Sequence, residues 1–185
     1  MANTGSQAAT KTAKTEMAEL ESMISESQTS EKVGLKLARI LDVHRSEIAL
    51  LRLEKGSLRF VFPVELRSAG VLPLSGSAVA ARTAATRTPL MSNAFMRVRH
   101  ASLFEAVKLS TAEEDRSMEQ LPIQKIMSVP VTSKEGVVCG VIQVSRKGLD
   151  AKVCGPDFTT DDLKKLEQAA EIVSRMPFMR EGAEL

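Results

Sequence analysis

Apolar residues recur at helical spacing in the amino-terminal part of the chain. Met17, Leu20 and Ile24 lie three and four positions apart with acidic residues between them, which predicts a helix over residues 15–28. A second amphipathic helix is predicted after Thr29, a residue that can cap it; its apolar stripe is Val33, Leu37, Ile40 and Leu41. Residues 1–14 have no such period, and their small polar composition predicts disorder.

The apolar period then changes to two, which is typical of strands. IALLRL is followed by Lys55-Gly56 and a run in which Leu58, Phe60, Phe62 and Val64 alternate with other residues. This predicts a hairpin whose alternating residues face the core together. A second hairpin, KIMSVPVT and VVCGVIQVS, is joined by a short loop containing Gly136, which suits a left-handed backbone conformation.

Two more helices are predicted around the second hairpin. Residues 75–86 are rich in small residues and end before Pro89. The last helix begins at Thr159, with two aspartates in its first turn, and its apolar stripe continues until Pro177. Residues 90–124 are predicted to be irregular and partly exposed. Two hairpins with helices at both ends predict an α+β domain, in which helices pack on one antiparallel sheet.

Composition limits the class of protein. The 185-residue chain has 43% hydrophobic residues, a net charge of +2 and only 3% aromatic residues. It contains no apolar run long enough to span a membrane and no secretory signal, so we expect a cytoplasmic protein without a membrane partner. The six Phe are too few aromatic residues to stack on bases, and the net positive charge is small, so nucleic acid binding is not expected.

Two cysteines and two histidines offer little for metal or redox chemistry. No pair of them has zinc-ligand spacing, so no metal site is predicted. Cys139 lies in an apolar strand and is predicted to be a buried thiol. Cys154 lies in a loop, where it is the more reactive of the two but has no resolving partner.

Several runs occur in an order that resembles the GAF domain family. The first is Ile126 to Val131, ending in Val-Pro-Val, followed by Gly136 and then Gly140 to Val144. Residues 158–162, Phe-Thr-Thr-Asp-Asp, are similar to the start of the last helix in that family, and residues 72–76 resemble its entry to the pocket-side helix. The resemblance covers roughly residues 30–176 and assigns residues 29–176 to a GAF-like domain, with residues 177–185 as a tail.

The resemblance implies a profilin-like sheet of about six antiparallel strands and a pocket on one face. Family members bind cyclic nucleotides, bilins, haem or other small molecules, or no ligand, and act in signal transduction. A bilin site needs a cysteine in the pocket-side segment, which here has only Arg99 and His100. Ser145-Arg146-Lys147-Gly148 matches the cyclic-nucleotide signature only in part. No cofactor is therefore identified.

The resemblance places a set of basic, polar and aromatic residues on the pocket side. Arginine forks bind phosphate or carboxylate, so an anionic or nucleotide-like ligand is one interpretation, and a solvated face is the other. The candidate ligand-binding residues are Phe60, Phe62, Ser75, Arg82, Asn93, Phe95, Arg97, Arg99 and His100.

Three functions are compared. The first is a small-molecule-sensing regulatory module, and the second is a dimerisation or protein-interaction module with no ligand. In the second, Met17, Leu20 and Ile24 pair between two chains of a homodimer or pack on their own domain, and an output protein is a further partner. The third is a thiol-dependent methionine sulfoxide reductase. Since neither thiol has the setting of a nucleophile, we expect no catalytic residue and no enzyme.

Overall fold

The computed structural model describes residues 4–26, 28–95 and 121–180 of the chain. Within these ranges, helices and strands follow one another in nearly the predicted order. They are α1 (Thr4–Ser25), α2 (Ser30–Ile40), β1 (Ile48–Glu54), β2 (Ser57–Phe62), β3 (Val71–Pro73), α3 (Val79–Thr86), β4 (Leu90–Ser92), β5 (Ile123–Thr132), β6 (Val138–Lys147) and α4 (Thr160–Val173).

The six strands form one antiparallel sheet in the order β3-β2-β1-β6-β5-β4. This confirms the predicted α+β class and the sheet of about six strands. The two predicted hairpins are β1–β2 and β5–β6, and their loop glycines, Gly56 and Gly136, both have positive φ. The edge strands β3 and β4 were not predicted, because three residues are too few to show an alternating pattern.

Helices cover both faces of the sheet. On one face, α1, α2 and α4 enclose a cluster of buried residues that we call the three-helix cluster, which includes Leu20, Leu37 and Leu166. On the other face, α3 packs over β5 and β6 above a second cluster. Neighbouring residues of β6 point into opposite clusters: Val141 faces α3, and Ile142 faces the three helices.

A β-bulge in β2 separates two residues that the sequence placed on one face. Leu50 lies opposite Phe62 and Leu51 opposite Phe60, so Val61 is an extra residue in β2. Phe60 therefore joins the α3 side, whereas Phe62 joins the three-helix cluster. The prediction that both rings lie on the same face of the sheet is wrong, because it assumed that side chains alternate along β2 without a bulge.

Helix α1 packs on its own domain. Leu20 is 0% exposed within the three-helix cluster, and Met17 and Ile24 are half-buried against it. An ion pair between Glu21 and Arg175 adds a link to the segment after α4, with 2.8 Å between Oε1 and Nη2. The proposed pairing of Leu20 between chains is therefore wrong, because this side chain is already enclosed by its own core.

Both ends of the described chain differ from the predicted boundaries. The backbone of α1 is helical from Thr4, so the stretch predicted to be disordered, residues 1–14, belongs to the helix from that point. At the other end, Phe178 and Met179 are buried in the three-helix cluster. The packed domain thus continues beyond residue 176, because these two apolar side chains cover the end of the sheet.

Candidate functional site

The α3 face of the sheet carries two of the predicted site residues that the structure describes. We call its buried residues the α3-face cluster; they are Ala49, Leu51, Leu58, Phe60, Leu66, Leu72, Val79, Ala80, Ala84, Phe95, Ile123, Ile126, Val138 and Val141. Phe60 and Phe95 are 2% and 4% exposed. The structure therefore brings these two predicted aromatic residues into one apolar environment.

Two hydroxyl groups are buried beside this cluster. Thr83 on α3 and Ser128 on β5 are 2% and 0% exposed, and their oxygens are 2.8 Å apart in a hydrogen bond. One such bond uses one of the two hydroxyl hydrogens, so the other can be directed to a further acceptor. Gln143 is paired with Ser128 in the sheet and is also buried. Sequence reasoning missed these three residues, since single Thr, Ser and Gln residues give no pattern.

Asn93, a predicted ligand residue, has a different role. Its Nδ2 donates to the carbonyl oxygen of Phe158 at 3.0 Å, and its Oδ1 accepts from the N–H of Phe158 at 2.9 Å. Both ends of the amide are thus used to hold β4 against the residue that precedes the cap of α4. The prediction that Asn93 binds a ligand is wrong for this reason.

The remaining predicted residues are not brought together in the described part of the chain. Ser75 and Arg82 are exposed; Arg82 lies between Ala81 and Thr83, which face the sheet, so it lies on the outer side of α3. Arg97, Arg99 and His100 lie outside the described residues.

The exposure of each thiol differs from that predicted, although the raised pKa expected for Cys139 has the same direction. Cys139 is half-buried, and its Sγ donates to the Val131 carbonyl at 3.3 Å. Burial raises the pKa of the Cys139 thiol above its ordinary value, which favours the neutral form. Cys154, expected in an open loop, is 8% exposed because it packs against Gly148.

A separate groove lies at the end of the sheet where both hairpin loops meet the segment after α4. We call it the hairpin-end groove; its volume is about 770 Å³. Leu53, Val137, Val138, Cys139 and Met179 provide apolar and sulfur atoms, and the basic lining residues are Lys55, Lys134, Arg175 and Arg180. Sequence reasoning missed this site, since its members are far apart in the chain and fall in turns and chain ends.

Metal and membrane features are absent from the described ranges. Residues 4–26, 28–95 and 121–180 contain no group of three or more His, Cys, Asp or Glu residues arranged to hold a metal ion. His44 instead caps a short 3-10 turn, with its Nδ1 2.8 Å from the hydroxyl of Ser46. No described helix is long and apolar enough to cross a membrane.

The family follows from a sequence match that covers most of the chain. The family model described as GAF domain matches residues 26–175. The chain belongs to the GAF domain family. The match confirms the predicted family, whose members are signalling and sensor modules. No curated protein matches the chain.

Solved structures share the fold at low sequence identity. The GAF domain from Acinetobacter phosphoenolpyruvate-protein phosphotransferase has a TM-score of 0.62 at 13% identity, over 88% of this chain and 90% of that one. Residues 122 to 287 of a methyl-accepting chemotaxis protein give 0.57 at 18% identity, over 87% and 98%. The fRMsr of Staphylococcus aureus in complex with substrate gives 0.56 at 12% identity, over 89% and 94%.

The last of these structures corrects one prediction. fRMsr is a free methionine-R-sulfoxide reductase, so an enzyme shares the fold of this GAF domain. This contradicts the prediction that the chain is not an enzyme, which rested on the setting of its two thiols. At this level of identity the similarity concerns the fold alone.

Proposed function

We propose that this GAF domain is a regulatory sensor that binds a small molecule on the α3 face of its sheet. The observation that carries the proposal is the buried hydroxyl pair of Thr83 and Ser128, set beside the α3-face cluster. Small-molecule sites commonly combine an apolar lining with a few placed polar groups. In this arrangement Phe60 and Phe95 provide aromatic contact, and the hydroxyl pair provides one further donor.

The chemistry of the ligand follows from these groups. A hydroxyl hydrogen that is not used within the pair can donate to a ligand oxygen, such as one of a carboxylate, phosphate or carbonyl. An anionic or nucleotide-like ligand meets this requirement and also fits the predicted contribution of Arg97, Arg99 and His100. These three residues remain predictions.

A thermal-shift screen with nucleotides and anionic metabolites tests the proposal. A compound present at 100 times its dissociation constant stabilises the folded state by about 2.7 kcal/mol. For a chain of this size that corresponds to a shift of roughly 5 to 10 °C. If no compound in the screen shifts the melting temperature, the sensor proposal loses its support.

A pair of variants on one helix locates the binding site. Thr83→Val removes the buried hydroxyl, and Thr86→Val removes an exposed one that bonds to the carbonyl of Arg82. We expect Thr83→Val to weaken the ligand identified in the screen about two- to tenfold, the range for one hydrogen bond. Thr86→Val should leave the affinity unchanged. Equal affinities in both variants would place the ligand elsewhere.

The alternative function is a homodimeric interaction module with an output protein as partner and no ligand. The close packing of Phe60 and Phe95 supports it, since both rings are already enclosed by the protein. Met17 and Ile24 remain half-buried on α1 and are the candidate contacts between chains. Light scattering of the full chain and of Met17→Gln with Ile24→Gln tests this alternative. A monomer in both cases would argue against it, and a dimer lost in the double variant would support it.

A further inference from the structure

The hairpin-end groove is built by three segments that are distant in sequence. The β1–β2 turn contributes Lys55, the β5–β6 turn contributes Lys134, and the segment after α4 contributes Arg175 and Arg180. A neighbouring cavity of about 400 Å³ also includes Lys134 and Arg175 among its lining residues, so these two residues stand between both spaces. The volume of the main groove, about 770 Å³, lies within the range of small-molecule sites.

The charge of the groove favours an anion. Its described lining has four basic residues and one acidic residue, Glu135. A hydrogen bond with Ser133 lowers the pKa of the fully exposed Glu135 carboxyl, so this acid is charged but already engaged within its own turn. An excess of positive groups around a concave surface raises the local concentration of anions.

Arg175 is the residue best placed to bind an oxyanion in this groove. A guanidinium has five N–H donors in a planar fork, and the pair with Glu21 involves one nitrogen, Nη2. Lys134 adds a second cation from the β5–β6 turn. Phosphate and carboxylate groups can both bind a planar guanidinium together with an ammonium group.

Part of the groove lining forms an apolar wall. Val137 is 61% exposed, and Leu53, Val138 and Met179 lie around it with the Cys139 thiol. From this juxtaposition we infer that the hairpin-end groove binds a small organic anion, whose phosphate or carboxylate lies between Lys134 and Arg175 and whose apolar body covers Val137. The groove shares Val138 with the α3-face cluster but includes neither Thr83 nor Ser128, and the inference does not depend on the function proposed there.

The anion site has a built-in connection to α1. Arg175 forms an ion pair with Glu21, and both side chains are partly exposed, at 36% and 56%. An anion that attracts Arg175 competes with Glu21 for the same guanidinium. Since exposed ion pairs are weak, we expect Glu21→Gln to strengthen anion binding by no more than about fivefold.

Titration with phenyl phosphate at constant ionic strength, followed by ¹H–¹⁵N NMR, tests the site in the full chain. Benzoate replaces the phosphate by a carboxylate, and inorganic phosphate lacks the apolar body. We expect phenyl phosphate to shift the amide signals of the two hairpin turns. Inorganic phosphate should bind more weakly, because it leaves the apolar wall uncovered, and the comparison with benzoate shows which oxyanion is preferred.

Matched variants separate a specific site from general attraction to a basic protein. Lys134→Gln and Arg175→Gln should each weaken phenyl phosphate about five- to tenfold, the loss of one charge-assisted contact at a partly exposed site. Lys32→Gln removes the same charge from an exposed position on α2 and should leave the affinity unchanged. Thr83→Val, on the α3 face, should also have no effect.

Alkylation of Cys139 provides an independent readout within the groove. Bound phenyl phosphate should slow its reaction with iodoacetamide, measured by mass spectrometry, while the buried Cys154 serves as internal reference. The inference is overturned if no probe binds, if Lys32→Gln weakens binding as much as Lys134→Gln, or if inorganic phosphate binds as tightly as phenyl phosphate. Failure of the α3-face screen would leave these results unaffected.

Discussion

Arg52 donates a hydrogen bond from Nη1 to the backbone carbonyl oxygen of Phe178, 2.9 Å away. Arg52 is only 2% exposed, and its Nη2 also pairs with Glu54. The bond joins the middle of the sheet to the segment that follows α4. A buried guanidinium is costly unless it is paired, so this contact fixes the carboxyl-terminal segment in one position.

The first prediction compares two arginines that share one carboxylate. Arg52→Leu should lower the free energy of unfolding by about 2–4 kcal/mol, because Glu54 and the Phe178 carbonyl lose a buried partner. Arg59 also pairs with Glu54 but is 40% exposed, so Arg59→Leu should cost less than about 1 kcal/mol. Urea unfolding measures both. Equal losses would mean that burial does not determine the strength of these pairs.

Much of the fold was predictable because local signals and the overall fold agree. Thr159 was predicted to begin the last helix with two aspartates in its first turn, and in the structure its hydroxyl caps α4 by accepting from the N–H of Asp162. Gly136 at φ +79° likewise confirms the expected left-handed turn. Such features depend on neighbouring residues and on backbone conformations that few residue types adopt, so the sequence alone reveals them.

The candidate sites were less predictable because they depend on contacts between distant residues. Thr83 and Ser128 are 45 positions apart, and neither stands out in its own segment. Asn93 looked like a polar pocket residue, but its partner is Phe158, 65 positions away. The hairpin-end groove likewise exists only once two turns and the segment after α4 come together.

A second prediction concerns the close approach of β6 to β1 at Gly140. A Cβ atom there would lie 2.1 Å from the carbonyl oxygen of Leu51 and 2.4 Å from Cε of Met179. Since the backbone of a central strand cannot easily move, Gly140→Ala should cost more than about 3 kcal/mol. Gly136→Ala meets open space and only the strain of positive φ, so it should cost about 1 kcal/mol. A smaller loss at Gly140 than at Gly136 in thermal unfolding would contradict the structure here.

A third prediction separates stability from binding at Asn93. Asn93→Ala removes both hydrogen bonds to Phe158 and should destabilise the domain by about 1–3 kcal/mol. Ser92→Ala, at the neighbouring half-buried position, should cost less than about 1 kcal/mol and serves as control. Because the amide is used inside the protein, neither change should alter the affinity of a ligand found in the screen. A loss of affinity in Asn93→Ala at a temperature where it is fully folded would restore the role first predicted for Asn93.

A fourth prediction follows from the raised pKa of Cys139. The folded state favours the neutral thiol, so more protons are bound in the folded than in the unfolded state as the pH rises through the ordinary thiol pKa. Cys139 therefore makes its whole contribution to the free energy of unfolding below that pKa, and this contribution decreases as the pH rises above it. Alkylation of Cys139 by iodoacetamide should also require a higher pH than alkylation of a free thiol, whose pKa is about 8.5.

The control for this pH dependence is Cys139→Ser, which removes the titrating group and keeps a small polar side chain. Its free energy of unfolding should decrease less than that of the unchanged chain as the pH is raised above 8.5 or so. Identical pH profiles for the two proteins would show that the thiol does not contribute.

The extra residue in β2 allows two aromatic residues that are two positions apart to lie on opposite sides of the sheet. If Val61 were paired as an ordinary strand residue, Phe60 and Phe62 would point to the same side of the sheet, since side chains alternate along a strand. Deletion of Val61 would instead leave Phe60 and Phe62 adjacent in a regular strand, and they would still point to opposite sides of the sheet, as they do now. Relatives that keep an aromatic residue on each side of the sheet must therefore either retain the bulge or place the two aromatic residues next to each other in the strand.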